Sequence, residues 1–246
     1  MYDSIIDTPF FKHVISPDNE EEIASISNLV TFKKGEVLYR EGDEGNCMYI
    51  VRTGALKIYR EHEGQEFILG HQFPGEAIGE LEVFHYDSAR TATVAAIERA
   101  SLWRIYKEDM VKLALRYPKL LQKTIYILSE RLAQADRQIE YLAFLDVYVR
   151  AANLILDLHA NFSLSTEKGD LIQWKITQQH AANMIGVSRE SATRAFHELQ
   201  REKIIRFENR YIYVLDLEQL KEISKSAKKT SYRKWHSSKK YSLDYL

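Results

Sequence analysis

The sequence predicts an α+β fold built from an N-terminal antiparallel β jelly roll, one long dimerisation helix and a C-terminal winged helix-turn-helix. Three observations support this prediction. Glycines concentrate between positions 35 and 79, apolar residues recur in heptads from Leu121 to Leu142, and residues 176–194 have the layout of two short helices meeting at a turn. The predicted parts are 1–118 for the roll, 119–145 for the long helix, 146–224 for the helix-turn-helix domain and 225–246 for a basic tail.

The glycine-rich stretch holds eight of the ten glycines, spaced 3 to 10 residues apart. They separate short runs of β-branched and aromatic residues, which predict strands. Short strands with frequent turns are typical of an antiparallel roll or barrel. The predicted strands are residues 37–39, 48–51, 55–59, 67–69 and 91–94, preceded by one amphipathic helix over residues 19–29.

The charge of the chain is unevenly distributed, although 34 Lys and Arg against 35 Asp and Glu give a net charge of only −1. Residues 1–175 carry 20 basic and 27 acidic side chains, a net of −7, and residues 176–246 carry 14 and 8, a net of +6. A basic C-terminal piece indicates a polyanionic partner. Seven of those basic residues lie from Lys225 onward, in a tail that either adds sequence-independent DNA affinity or is a solvated end.

Several classes of protein and site are disfavoured. No apolar run approaches the roughly 18 residues that span a bilayer, and the start lacks a secretory pattern, so we expect a cytoplasmic protein without membrane contact. The single Cys47 excludes intramolecular disulfides and Cys-rich metal sites, and is either a buried filler or a sensor thiol. Catalytic and dinucleotide fingerprints are missing, so we expect neither an enzyme nor a resident metal or cofactor.

The long helix has an apolar stripe with spacings of 4, 3, 4, 3, 4 and 3 residues. Three unbroken heptads are typical of a seam between two helices, and a second copy of the chain is the simplest partner. The alternative is a helix packed on its own barrel. The predicted seam residues are Leu121, Ile125, Leu128, Leu132, Ala135, Ile139 and Leu142.

Residues 176–194 resemble two helices joined by a tight turn. Thr177 and Ser188 are candidate N-caps, and Gly186 supplies the turn. On the second helix, Ala192, Ala195, Phe196 and Leu199 fall on one side, and Glu190, Thr193, Arg194 and His197 on the other.

The outer side of this helix suits DNA, because Arg can pair with guanine and Glu can accept from cytosine in the major groove. The alternative is an ordinary solvated face. Residues 204–207 and 211–214 predict a β-hairpin wing, followed by a short helix over residues 216–224. The predicted DNA-contacting residues are Thr177, Gln178, Ser188, Arg189, Glu190, Thr193, Arg194, His197, Arg206 and Arg210.

Gly79-Glu80-Leu81, followed by Arg90-Thr91, resembles the phosphate-binding cassette of the Crp–Fnr regulators, and the similarity runs from about residue 20 to about residue 215. The resemblance implies a roll of the cyclic nucleotide-binding type, with 1–118 as the effector-binding domain. By that resemblance Glu80 holds the ribose 2′-hydroxyl, while Arg90 and Thr91 hold the cyclic phosphate. An Arg fork, a hydroxyl and backbone N–H groups near Gly79 suit one compact anion.

The resemblance also assigns roles to residues of the long helix and of the segment that follows it. Ala135 and Asp136 stand where family members that bind cyclic AMP contact adenine, and residues 144–147 resemble the hinge before the DNA-binding domain. Ala135 cannot make that contact, whereas Asp136 is either an acceptor for an exocyclic amine or a solvated residue. His71 and His85 are better explained as surface or hydrogen-bonded histidines than as haem ligands.

Ser188-Arg189-Glu190 with Arg194 also resembles the recognition helix of the Crp–Fnr family. This resemblance implies a TGTGA-like half-site read by a homodimer on double-stranded DNA, with RNA polymerase as a further candidate partner. Cyclic AMP and cyclic GMP are the candidate effectors. Two alternatives stay open: a constitutive regulator or one that senses a non-nucleotide effector, and a nucleotide-sensing module without DNA readout.

Overall fold

The computed structural model describes residues 2–225, so the predicted basic tail lies outside the described residues apart from Lys225. The chain divides into two compact units. Among the described residues, the first unit comprises 2–60 with 69–131, and the second comprises 61–68 with 132–225. The predicted fold class is confirmed: helices combine with antiparallel strand pairs in an N-terminal β-roll, a long helix and a C-terminal helix-turn-helix.

Eight α-helices run through the described residues. They are α1 Glu20–Ile26, α2 Glu80–Phe84, α3 Lys107–Arg116, α4 Lys119–Phe144, α5 Val147–Phe162, α6 Gln178–Ile185, α7 Arg189–Arg201 and α8 Leu217–Lys225.

Twelve strands run through the same residues. They are β1 Ser27–Phe32, β2 Val37–Tyr39, β3 Cys47–Thr53, β4 Leu56–His62, β5 Gln65–Gln72, β6 Ala77–Ile78, β7 Thr93–Ala96, β8 Ala100–Tyr106, β9 Ser163–Thr166, β10 Gly169–Ile172, β11 Ile205–Glu208 and β12 Tyr211–Val214.

The β-roll consists of two four-stranded sheets, ordered β1-β8-β3-β6 and β2-β7-β4-β5. Strand β8 is central to the first sheet, where Leu102 pairs with Val30 of β1 and with Val51 of β3. A strand with partners on both sides is buried, and Leu102 is fully inaccessible to solvent. One core cluster includes Leu102 together with Tyr39, Leu56 and Val94 of the other sheet.

A second core cluster joins the N-terminal segment, the first sheet and helices α3 and α4. Phe10 and Phe11 from the N-terminal segment are buried there with Met110 of α3 and Leu120 of α4. Lys123 of α4 is also buried, and its Nζ donates to the carbonyls of Pro9 and Lys12. Burial lowers the pKa of Lys123 to about 8. The start of α4 is therefore fixed to the roll on its apolar and its polar side.

The C-terminal unit is organised around α5, which is buried continuously from Ala151 to Leu158. A helix that is apolar nearly all round belongs in a core. Asp146 caps its start by accepting from the backbone N–H of Val149 at 2.9 Å. The remaining sheet has the order β11-β12-β10-β9. Inside the described part of the chain, no helix combines the length and the apolar character needed to cross a membrane.

Some predicted elements need correction. The helix predicted over residues 19–29 ends at Ile26, because the chain continues as β1, whose residues pair with β8. Strands β1 and β8 were not among the predicted strands. Neither was the β9–β10 hairpin, because all four residues of β9 are exposed and Leu164 is its single apolar residue. The predicted strand over residues 91–94 shifts to β7, Thr93–Ala96, and the helix predicted over 216–224 is α8.

Candidate functional site

The helix-turn-helix is formed by α6 and α7, and both helices begin at the predicted caps. The Thr177 hydroxyl accepts from the backbone N–H of His180 at 3.1 Å, and that of Ser188 accepts from the N–H of Ser191 at 3.2 Å. Between the helices, Gly186 has a φ of +66°, the left-handed conformation that glycine adopts at least cost. Local sequence therefore fixes where the second helix starts.

Helix α7 has the two faces predicted from its periodicity. Ala192, Ala195, Phe196 and Leu199 are buried, whereas Arg189, Glu190, Arg194 and His197 are exposed. Thr193 differs from the other predicted contacts, because it is only half-exposed and its Oγ1 donates to Gln178 Oε1 at 2.9 Å. Thr193 and Gln178 thus join α7 to α6 in this structure.

The first two turns of α7 carry charged groups whose positions are already constrained. Backbone hydrogen bonding at the helix start lowers the pKa of the exposed Glu190, and the Ser188 hydroxyl adds to this effect. The Arg194 guanidinium donates to Ser191 Oγ at 3.2 Å. An anionic Glu190 beside an aligned Arg194 provides one acceptor and several donors to a groove of base edges.

The wing is the β11–β12 hairpin, whose loop is formed by Asn209 and Arg210 with φ values of +53° and +68°. Two consecutive positive φ values are typical of a type I′ hairpin turn. Arg206 lies over the Tyr213 ring at 4.8 Å and within 3.7 Å of Glu208. Four predicted contact residues from three elements line one open groove: Thr177, Gln178, Arg189 and Arg210.

The cassette, residues 79–91, is the second candidate site, and it contains three buried charged side chains. Gly79 has a φ of +82°, and a Cβ there would lie 2.5 Å from Arg90 Nη1, so the close approach of Arg90 requires glycine. Leu81 is half-buried on α2, and Thr91 is exposed. Glu80, Glu82 and Arg90 are 0%, 3% and 3% exposed.

Arg90 is held from several sides. Its Nη2 donates to the Cys47 carbonyl at 2.7 Å, and its Nη1 lies 3.1 Å from Glu82 Oε2. The Tyr39 ring lies 4.0 Å from its Cζ, a cation–π contact. Burial raises the pKa of Tyr39, so this ring stays uncharged next to the guanidinium.

Glu82 also contacts Thr91, the second residue predicted to hold the cyclic phosphate. Its Oε1 accepts from the backbone N–H of Thr91 at 3.2 Å and lies 3.5 Å from the Thr91 hydroxyl. Both groups assigned to a cyclic phosphate are therefore joined to a carboxylate of the chain itself. The space for this side chain depends on Gly45, where a Cβ would lie 2.7 Å from the Cβ of Glu82.

Glu80 faces a different cation. Its Oε1 lies 2.8 Å from Nη1 of Arg131 on α4, and Arg131 Nη2 donates to the Ala77 carbonyl at 3.0 Å. The ion pair lacks hydrogen-bond geometry, and neither Glu80 carboxylate oxygen has a hydrogen-bond partner in the described part of the chain. Burial raises the pKa of Glu80, although the charge of Arg131 opposes this effect.

Helix α4 exposes the predicted seam. Ile125, Leu132 and Ile139 are 63%, 65% and 64% exposed, high values for large apolar side chains. Leu128 is half-buried, and both Ala135 and Asp136 are exposed. The remaining seam residues are also exposed: Leu121 and Leu142.

Sequence reasoning missed Glu82 and Arg131. The available signal for Glu82 was an acidic residue inside the cassette, eight positions before Arg90, but its inward orientation depends on the contact with Thr91. Arg131 falls among the heptads, and its pairing with Glu80 depends on how α4 packs on the roll. Cys47 is buried, as its interpretation as a filler predicts. Within residues 2–225, no group of three or more His, Cys, Asp or Glu is placed to hold a metal ion.

Comparison with known proteins covers both sites. Residues 29–117 match the family model of the cyclic nucleotide-binding domain, and residues 149–223 match the Crp-like helix-turn-helix domain. The chain is 29% identical to the cyclic AMP receptor protein of Thermus thermophilus over 88% of this chain and 97% of that protein. It is 30% identical to the cAMP-activated global transcriptional regulator CRP of Haemophilus influenzae, over 76% of this chain and 84% of the relative.

A solved structure agrees with this assignment. The c-di-GMP responsive global regulator CLP of Xanthomonas campestris superposes with a TM-score of 0.73 at 25% identity, covering 81% of this chain and 99% of that one. The chain thus matches relatives along most of their length, through a cyclic nucleotide-binding domain and a Crp-like helix-turn-helix domain. The chain belongs to the Crp–Fnr family of DNA-binding transcription regulators.

Proposed function

We propose that the protein is a homodimeric regulator that reads a TGTGA-like inverted repeat with Arg189, Glu190 and Arg194. One observation carries this proposal: these three side chains are exposed on the first two turns of a helix whose opposite face is buried and whose start is capped by Ser188. Side chains at the start of such a helix are those that reach base edges in the major groove.

The remaining residues of the DNA surface have positioning roles in this proposal. Thr177, at the start of α6, and Arg210, at the tip of the wing, line the same groove as Arg189 and are placed for phosphates. Ser188 and His197 complete the exposed side, and Arg206 supports the wing through Tyr213. Phosphate contacts fix the register of a protein on the duplex, and base contacts supply sequence preference.

The dimer part of the proposal is supported by the exposed stripe on α4. Apolar residues at heptad spacing stabilise a helix only when a second surface covers them, and a second copy supplies the same spacing. Two copies related by a two-fold axis place two α7 helices against half-sites about one helical turn, roughly 34 Å, apart. We further propose that the regulator acts in the cytoplasm, with RNA polymerase as its protein partner and without catalytic activity.

Two effector assignments compete. A cyclic nucleotide, cAMP or cGMP, is favoured by the presence of Gly79, Glu80, Arg90 and Thr91 in one cassette and by the named relatives. A regulator that needs no cyclic nucleotide is favoured by the contacts of Arg90 and Thr91 with Glu82. The arrangement does not fit a cyclic phosphate, because the groups that would hold it already bind a carboxylate.

The DNA proposal is tested by replacing Arg189 with Ala and measuring anisotropy of a labelled TGTGA inverted repeat. Loss of a bidentate contact to guanine should weaken binding by about 1–3 kcal/mol and relax preference at one base pair per half-site. The matched control is Arg201→Ala, which removes the same charge from the far end of α7, where Arg201 pairs with Glu198. Equal effects of the two substitutions would contradict the proposed readout and leave only a charge effect.

A further inference from the structure

The buried Glu82 carboxylate lies among the groups that recognise an anion. It contacts one guanidinium, one backbone N–H and one hydroxyl, supplied by Arg90 and Thr91. Phosphates and carboxylates use the same donors, because both present several oxygens that accept charge-assisted hydrogen bonds. Side-chain exposures of 4% for Glu82 and 2% for Arg90 show that water does not replace either partner.

A second anion has no equivalent place there. The Arg90 guanidinium also donates to the carbonyls of Cys47 and Gly79 and to the Cys47 sulfur, and the Tyr39 ring covers it. A ligand phosphate at Arg90 and Thr91 would bring its charge against the Glu82 carboxylate in a buried space, where like charges repel strongly. Binding a phosphate therefore requires Glu82 to leave, which would expose or strand its own charge.

We propose that Glu82 is a built-in anionic ligand of the cassette, which occupies the phosphate position and makes the roll independent of cyclic nucleotides. This inference rests on the proposed function, because it decides between the two effector assignments. It gives the cassette a structural role: Glu82 holds α2 against Arg90 and Thr91, while Arg131 holds Glu80 against α4. Both buried acidic residues of the cassette are thus paired within the chain.

The experiment is isothermal titration of the full chain with cAMP, cGMP and adenosine, each at up to about 1 mM. Wild type should bind neither cyclic nucleotide. The Glu82→Gly variant removes the internal carboxylate. It should bind cAMP or cGMP with an affinity at least tenfold above the detection limit set by wild type. Because this gain comes from the phosphate, the affinity for adenosine should not increase. The matched control is Glu98→Gln, which changes an exposed glutamate in the same roll and should behave as wild type.

A second variant keeps the test decisive if Glu82→Gly does not fold, because removing one member of a buried ion pair is destabilising. Glu82→Gln preserves the shape and an oxygen acceptor for Thr91 but removes the charge. Millimolar cAMP should raise the melting temperature of the Glu82→Gln variant, whereas the melting temperature of wild type should not change.

Two results would overturn the inference: saturable binding of cAMP or cGMP by wild type, or no gain by either Glu82 variant in its folded form. Anisotropy on the TGTGA repeat without nucleotide is recorded on the same samples. A wild type that binds neither nucleotide nor DNA would contradict the proposed function but leave the Glu82 inference standing. A wild type that binds DNA only with nucleotide would contradict the inference and preserve the DNA reader.

Discussion

At the scale of single residues, Arg131 has the most direct structural consequence, because it is the cation that faces the fully buried Glu80. Replacing Arg131 with Met should cost about 3–5 kcal/mol of unfolding free energy, since it leaves an uncompensated carboxylate in the core. The double substitution Arg131→Met with Glu80→Gln should recover much of that loss. Urea denaturation of the two single variants and the double variant measures the coupling. A double variant as unstable as Arg131→Met alone would show that Arg131 acts by packing and not through Glu80.

The same pair predicts a pH dependence with a definite sign. Burial raises the pKa of Glu80 above its ordinary value of 4.5, so the folded chain binds that proton more tightly than the unfolded chain. The ionisation of Glu80 therefore does not lower the free energy of unfolding below pH 4.5, and it lowers this free energy increasingly as pH rises through the pKa of the folded chain. The Arg131→Met variant should lose less stability relative to wild type at pH 5 than at pH 8. An identical loss at both values would show that the carboxylate is not the cause.

Residue patterns in the sequence predicted one site better than the other. Ser188 and Thr177 cap their helices, and Arg189, Glu190 and Arg194 are exposed, because capping and helical periodicity are local properties. The contacts of the cassette were not predictable in this way. Glu82 reaches Arg90 and Thr91 across a turn, and Arg131 reaches Glu80 from a helix about fifty residues later in the chain. Such contacts depend on tertiary packing, which local patterns do not encode.

At the scale of elements, helix α4 makes the clearest prediction, because its apolar stripe is exposed in the single chain. Replacing Leu132 with Glu should convert the proposed dimer to a monomer, since it would place two carboxylates in the seam. The control is Ser129→Glu, which adds the same charge at an exposed position outside the heptad stripe. Sedimentation velocity at micromolar concentration distinguishes the two. A monomeric wild type, or a dimeric Leu132→Glu variant, would contradict the proposed seam.

The elements themselves show where periodicity succeeds. The heptads predicted α4, and the glycine map located β2 to β5 within a few residues, since both signals repeat along the chain. Strands β1 and β8 were not predicted from the sequence. They pair with each other, and β8 also pairs with β3, so their partners are distant in sequence. The exposed β9 carries the polar sequence Ser163–Thr166 and forms by pairing with β10, so it has no apolar signal of its own.

At the scale of the whole molecule, the net charge of +6 over residues 176–246 comes from one part of that stretch. Residues 176–224 hold seven basic and seven acidic side chains, so the excess lies in the tail from Lys225 onward. A truncation after Ser224 should therefore weaken the salt dependence of DNA binding. The slope of log affinity against log salt concentration should decrease in magnitude by about 0.9 for each phosphate that the tail neutralises. The preference for the TGTGA repeat should remain. Titrations at several salt concentrations measure both quantities, and loss of the preference would place the tail within the reader.

We propose that two copies of the chain read the operator through α7 and do so without a cyclic nucleotide. The most direct test of this proposal is the affinity of the nucleotide-free, full-length chain for a duplex with a TGTGA inverted repeat, compared with the same duplex carrying permuted half-sites. We expect the chain to prefer the repeat by at least about a thousandfold at physiological salt, and added cAMP or cGMP should leave this preference unchanged. Equal affinity for the two duplexes would contradict it.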